Sequence, residues 1–203
     1  IAIENVLLLN PTKGILQGGS ASGRLYIRKL WGQPFQMGLS VDWIGDTMRA
    51  EDIHFWPFWS SDPSVLEYTK NNAIGIRSAR NDNPHFSNIF MLGYNVGMEF
   101  VKNYFGITSK FKITNFDADM CRTGILISGE TVTGQIANMT TQGTGISSSI
   151  GIFIISPANR VRLQASNLRF TDCQANGVRV DGEENWVALE NIWVDNWDQS
   201  HVG

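Results

Sequence analysis

Soft metal ligands and reactive nucleophiles are scarce in this chain: its 203 residues include two Cys and three His. So few thiolate and imidazole groups argue against a zinc or haem centre. Charge of one sign is lacking too. Sixteen Lys and Arg against nineteen Asp and Glu give a formal charge of -3, without clusters of basic residues. The electrostatic footprint expected of a nucleic-acid or anionic-membrane partner is therefore missing. No apolar run approaches the roughly 18 residues needed to span a bilayer. The opening Ile1-Ala2-Ile3-Glu4-Asn5 carries neither an initiator Met nor a charged-then-apolar secretory pattern. What is present is a body fit to fold, with 42% apolar and 17% charged residues. Seven Trp and eleven Phe supply flat apolar surface, and twenty Gly are scattered like punctuation between short strands.

A phrase recurs along the chain: an apolar residue, any residue, Asn or another polar residue, then an apolar residue again. Ile3-Glu4-Asn5-Val6, Ile27-Arg28-Lys29-Leu30, Ala50-Glu51-Asp52-Ile53 and Phe86-Ser87-Asn88-Ile89 are its first four occurrences. Ile113-Thr114-Asn115-Phe116, Ile136-Ala137-Asn138-Met139, Ala165-Ser166-Asn167-Leu168 and Leu189-Glu190-Asn191-Ile192 follow. The polar anchors at 5, 29, 52, 88, 115, 138, 167 and 191 are spaced by 24, 23, 36, 27, 23, 29 and 24 residues. That is too long for a hairpin and too irregular for a helical repeat, and it suits one solenoid coil with loop insertions. Apolar residues keep one register around the anchors: four before (Leu25, Met48, Phe111, Leu163, Val187), two before, one after, and three after (Leu8, Phe55, Met91, Phe170, Val194). Strict alternation breaks at the anchor, so the chain turns a corner there. Asn tolerates the left-handed backbone that such a corner needs. About nine residues past most anchors stands a Gly (Gly14, Gly38, Gly97, Gly124), followed by another alternating strand.

The expectation is an all-β chain: a right-handed, single-stranded parallel β-helix, a solenoid of about eight coils with three strands each. A β-sandwich also alternates with turns every 8–12 residues, but it does not explain one fixed register over eight anchors. Cys121 and Cys173 each sit six past an anchor, two coils apart. At about 4.8 Å per coil they are beyond disulfide reach and should be reduced packing residues. Ile3 is already in the repeat and Asn191-Ile192-Trp193-Val194 opens a strand at the far end. Because bare coil ends expose unpaired edges, residues 1–203 read as a fragment of one β-helix domain whose caps and flanking domains lie elsewhere.

The coil with Asn at its corner, with Gly124-Ile125-Leu126-Ile127-Ser128-Gly129 and Asn191-Ile192-Trp193-Val194, resembles the pectate-lyase-like β-helix superfamily over essentially the whole chain. Within it, three segments are similar to bacteriophage tailspike depolymerases: Asp52-Ile53-His54-Phe55-Trp56-Pro57-Phe58-Trp59, Ala73-Ile74-Gly75-Ile76 and Asn88-Ile89-Phe90-Met91-Leu92-Gly93-Tyr94. The superfamily resemblance implies a carbohydrate substrate and hydrolase, lyase or epimerase chemistry. The tailspike resemblance implies a homotrimer at the virion tail that degrades capsule, exopolysaccharide or O-antigen; outside a phage, the setting would be secreted. No run of superfamily catalytic residues can be carried over position by position, so candidate sites rest on the register.

Residues two and four past each anchor should face outward. After Asn115 these are Asp117 and Asp119. Carboxylates two apart on a strand stand about 6.5–7 Å apart along the backbone. Side-chain lean allows about 5 Å or about 9 Å, covering both retaining and inverting glycosidases. Two solvated acids, or a calcium site, fit the same pair. On the strand after the Gly, a charged file of Asp42, Arg77, Glu99 and Arg179 is expected, with Asp42 and Glu99 flanking Arg77. An ordinary cross-strand charge network fits that file equally. The longest spacing follows Asp52, and its extra residues should form a loop bearing Trp59, Asp62, Glu67 and Tyr68, with His54 and Trp56 outward on the coil beneath. Exposed aromatic faces there could stack on sugar rings or pack the loop or a neighbouring subunit. Outward Trp31, Phe90 and Trp193 carry the same two meanings.

The expected function is therefore cleavage of a bacterial polysaccharide by paired carboxylates, with Asp117, Asp119, Asp42, Glu99 and Arg77 as catalytic candidates. His54, Trp56, Trp59, Glu67, Tyr68 and Arg179 are the substrate-binding candidates, and no cofactor is called for. A lyase acting on a uronate polymer is the first alternative, with Arg77, His54 or Lys70 near the abstracted proton and calcium assisting. A non-catalytic receptor-binding or structural β-helix is the second.

Overall fold

The structure is a computed structural model that describes residues 1–197; residues 198–203 of the expected domain lie outside the described residues. In chain order the elements are β1 (Ala2–Leu8), β2 (Lys13–Gln17), β3 (Tyr26–Gly32), β4 (Met37–Val41), β5 (Arg49–Phe55), α1 (Pro63–Asn72), β6 (Ile74–Ser78) and β7 (His85–Leu92). There follow β8 (Val96–Phe100), β9 (Phe111–Asp119), β10 (Thr123–Ile127), β11 (Thr133–Gln142), β12 (Ile150–Ile154), β13 (Arg162–Thr171), β14 (Asn176–Val180) and β15 (Trp186–Asp195). Odd-numbered strands stack in order as an eight-stranded sheet and even-numbered ones as a seven-stranded sheet. Every pairing is parallel. The chain is thus a parallel β-helix. It makes about seven turns rather than eight, because eight anchored strands enclose seven crossings through the second sheet.

All eight anchors are left-handed, with φ between 52° and 57°. Each bends its strand without ending it. Thr114 pairs with Ala137 and Phe116 with Met139, while Asn115 and Asn138 at the bend stay out of the ladder. Two of the three expected strands per coil are consequently one strand folded over a corner, giving an outer face before the anchor and another after it. The freed anchor side chains bond to one another along the axis. Asn88 donates to Asp52, Asn115 to Asn88, Asn138 to Asn115, Asn167 to Asn138 and Asn191 to Asn167, at 2.6–3.2 Å. This amide ladder pins the register from coil to coil.

Inside, equivalent positions stack on their counterparts. Ile27, Ala50, Phe86, Ile113, Ile136 and Ala165 form one buried column, and Leu30, Ile53, Ile89, Phe116, Met139 and Leu168 another. The short strands contribute a file of seven glycines: 14, 38, 75, 97, 124, 151 and 177. A Cβ on each of the first six would lie 2.3–2.7 Å from the next glycine's carbonyl oxygen. Rings of Phe55, Phe116 and Phe170 also press on this file. Backbone and side-chain bulk therefore leave room for hydrogen alone. Cys121 and Cys173 are buried and free, and burial pushes the Cys121 thiol up to about 12.

The long insertion after β5 is a helix, α1, where a loop was expected. Asp62 caps it by accepting a hydrogen bond from the Ser64 N–H at 2.8 Å, and Pro63 fills its first turn. No described helix is long and apolar enough to cross a membrane.

Candidate functional site

The face after the amide ladder carries one unbroken outward file, two residues past each anchor. It runs Leu7, Trp31, His54, Phe90, Asp117, Thr140, Arg169, Trp193. Four past the anchor, Leu92, Asp119, Gln142, Thr171 and Asp195 form a second file. Asp117 is thus bracketed by Phe90 on one coil and Thr140 on the next. Its groove of ≈ 410 Å³ is lined by Trp31, His54, Phe90 and the anchors Lys29, Asp52, Asn88 and Asn115.

The aromatic end of this face is packed as a cluster. The His54 ring lies 4.7 Å from Phe90 and 5.5 Å from Phe58, and Trp56 stacks on Phe90 at 5.9 Å. Phe58 meets Trp59 at 5.1 Å. Gln33 holds the segment down, accepting from the Trp59 and Ser60 N–H groups and donating to the Ser60 carbonyl. Even so, Trp31, Trp56, Phe58 and Trp59 remain 39–51% exposed. Apolar groups that stay exposed in a fixed cluster form a platform for flat ligands or for another chain.

The two acids beside the platform are half-buried. Burial raises the Asp117 carboxyl above the usual range, with Thr140 opposing by hydrogen bonding. Burial raises Asp119 as well, and the charge of Asp117 pushes in the same direction. The Asp117 charge thus adds to burial at Asp119, whereas Thr140 opposes burial at Asp117. Partial burial also lowers the His54 imidazole, favouring its neutral form. Among the described residues no group of three or more His, Cys, Asp or Glu converges as a metal cage.

The other candidates lie elsewhere. Register on the seven-stranded sheet runs Leu16, Ser40, Arg77, Glu99, Leu126, Phe153, Arg179. Ser40, not Asp42, therefore sits opposite Arg77. Counting outward by twos from Gly38 runs past the end of β4 at Val41 and places Asp42 in the corner. There its carboxylate accepts from the Arg80 N–H at 3.0 Å and from the Asn103 amide, a corner-building role. Arg77 and Glu99 form a 2.7 Å ion pair in which the Glu99 side chain is 11% exposed. Arg179, three coils beyond Glu99, lies over the Phe153 ring at 5.0 Å and pairs with Asp181. Glu67 and Tyr68 ride on α1, where Glu67 accepts from Asn71.

The corner of the coil separates this sheet from Asp117 and Asp119. Arg77 lines its own cavity of ≈ 350 Å³ with Asn72, Gln36 and Ser40. The structure therefore groups Asp117, Asp119, His54, Trp56 and Trp59 on one face, and leaves Arg77, Glu99 and Arg179 on another. Thr140 and Phe58 were missed by sequence reasoning. Thr140 is simply two past Asn138, so the anchor count already contained it. Comparison with protein-family models, with curated proteins and with solved structures finds no match to this chain.

Proposed function

We propose that the chain binds and cuts a bacterial surface polysaccharide by glycoside hydrolysis on the face after the amide ladder. The reading rests on one observation: two outward carboxyls, both raised by burial, at the foot of an exposed aromatic platform. An extended glycan running along the ladder would stack sugar rings on Trp31, Phe90 and Trp56. Asp119 would donate a proton to the leaving oxygen, and Asp117 would act as base or nucleophile. Only the acid needs its proton, which the opposing influences of Thr140 and of the Asp117 charge favour on Asp119. Within this reading the likeness to tailspike depolymerases makes the working form a homotrimer at a virion tail.

Release of reducing ends from host capsule or O-antigen tests it, with Asp117→Asn and Asp119→Asn beside the parent protein. Loss of general acid-base chemistry should cost about 10²–10⁴ in rate while outward substitution leaves the fold intact. Unchanged rates in both variants would remove the acids from the chemistry. Binding without any cleavage by the parent would leave the platform as a receptor-binding surface, and new ultraviolet absorbance in the product would reassign the reaction to a lyase.

A further inference from the structure

On the face before the ladder, three residues ahead of each anchor, successive coils present Arg49, His85, Lys112, Gln135 and Gln164 in register. All five side chains can donate hydrogen bonds, and no carboxylate interrupts them over about 19 Å of axis at about 4.8 Å per coil. Basic groups directly opposite one another across a sheet are unfavourable. Some other surface cations are neutralised: Arg24 pairs with Asp46, Lys110 with Asp82 and Arg169 with Asp195. Arg49, His85 and Lys112 have no ion-pair partner among the described residues. His85 is held below the ordinary imidazole range by burial, then by Lys112 and Arg49.

Beside this file, one residue ahead of the anchors, stand Glu51, Ser87, Thr114, Ala137 and Ser166, so the side chains are small on every one of these coils but that of Arg49. A gutter results, floored by small residues, with the donor file as one wall and the amide ladder as the other. One hollow of ≈ 700 Å³ occupies the gutter, lined by Lys112, Thr114, Gln135, Ala137, Gln164 and Ser166 with Glu190 at its far end. A second of ≈ 670 Å³ lies on the other side of the donor file, against Lys110, Thr133, Arg162 and Trp186, and Arg49 and His85 continue the file beyond both.

The geometry points to a binding trough for an anionic polysaccharide, whose carboxylate or sulfate groups meet Arg49, His85 and Lys112 and whose hydroxyls meet Gln135 and Gln164. The coil rise is close to the repeat of an extended pyranose chain, so one donor faces each sugar. Neutral amide and hydroxyl donors over half of the trough suit a glycan better than a nucleic acid, whose charge is continuous and whose bases need stacking partners. The trough lies across the ladder from Asp117 and Asp119 and holds its ligand whether or not those acids cut it.

Titration calorimetry of the Asp117→Asn/Asp119→Asn protein with polygalacturonate, dextran sulfate, neutral dextran and oligothymidylate tests the assignment. At least one of the two anionic glycans should bind about 10-fold or more tightly than dextran, and more weakly as salt rises. Comparison of the two separates a carboxylate ligand from a sulfate. Arg49→Gln/Lys112→Gln should lose about 10-fold per charge with an unchanged or higher thermal midpoint, since repulsion is relieved. Gln135→Glu, which keeps the side-chain volume, should weaken binding as well. Equal affinity for dextran and both anionic polymers, or indifference to these substitutions, would overturn the proposal. Oligothymidylate bound as tightly as the glycans with the same sensitivity would make the trough a nucleic-acid site instead.

Discussion

The two outer faces that meet at the amide ladder are made by the same strands, in the same register, over the same core, and they differ in chemistry from end to end. After the ladder stand rings and half-buried acids; before it stand basic residues, amides and small residues. Neither difference comes from the scaffold. At both faces the outward positions carry lighter packing demands, whereas the interior and, from Asp52 to Asn191, the ladder repeat nearly unchanged. Functional variety is therefore confined to outward files, and each file acquires meaning only when adjacent coils are read together.

The largest expected effect separates the faces by kinetics. Asp119→Asn should lower kcat by about 10²–10⁴, whereas Arg49→Gln/Lys112→Gln should raise KM and leave kcat near its parent value. Steady-state rates on one acidic polysaccharide check both. A shared fall in kcat would mean that the faces act as one site.

Next in size are changes that ignore the comparison by striking both faces together. Asn115→Val places a β-branched residue at φ 55° and removes two ladder bonds. Left-handed strain of about 1–2 kcal/mol and about 0.5–1.5 kcal/mol per bond should sum to roughly 3 kcal/mol by denaturant unfolding. Asn115→Gly should recover the strain and not the bonds. Gly97→Val forces a side chain toward the Gly124 carbonyl oxygen and the Phe116 ring, 2.7 and 3.2 Å from its Cβ. Overpacking of this kind typically costs about 1–3 kcal/mol.

Smaller effects return to single faces. Trp56→Ala removes one stacking surface and should weaken glycan binding by about 1 kcal/mol with little change in turnover. Stability against pH carries the least. The Asp117 and Asp119 carboxyls are raised in the folded chain, so the folded state holds protons that the unfolded chain releases. Their burden on stability is absent below the ordinary value of 3.8 and grows as pH rises through the folded values. Asp119→Asn should accordingly melt higher than the parent at pH 7, with the gap closing in acid.

The columns were legible because their positions make demands that few residues meet. A corner at φ near 55° selects Asn, Asp or Lys here, and the interior admits only apolar side chains. Asp117, Asp119, His54 and Trp56 could be counted outward directly from those anchors. Asp42 could not, because nothing in the sequence marks the end of β4 at Val41, and alternation carried beyond it is meaningless. The signal for α1 was present in Asp62-Pro63, a cap followed by a first-turn proline, but its weakly apolar pattern reads as a loop. Arg49, His85 and Lys112 are ordinary surface residues separated by tens of positions. They become a site only when the irregular spacings of 36 and 27 residues are folded onto one register.

The most direct measurement is a structure of the Asp117→Asn/Asp119→Asn protein with a host-polysaccharide oligomer bound. The account places the chain along the amide ladder, with a ring over Trp31, Phe90 or Trp56 and a glycosidic oxygen within reach of residue 119. An oligomer lying instead across Arg77 and Glu99 on the seven-stranded sheet would contradict it.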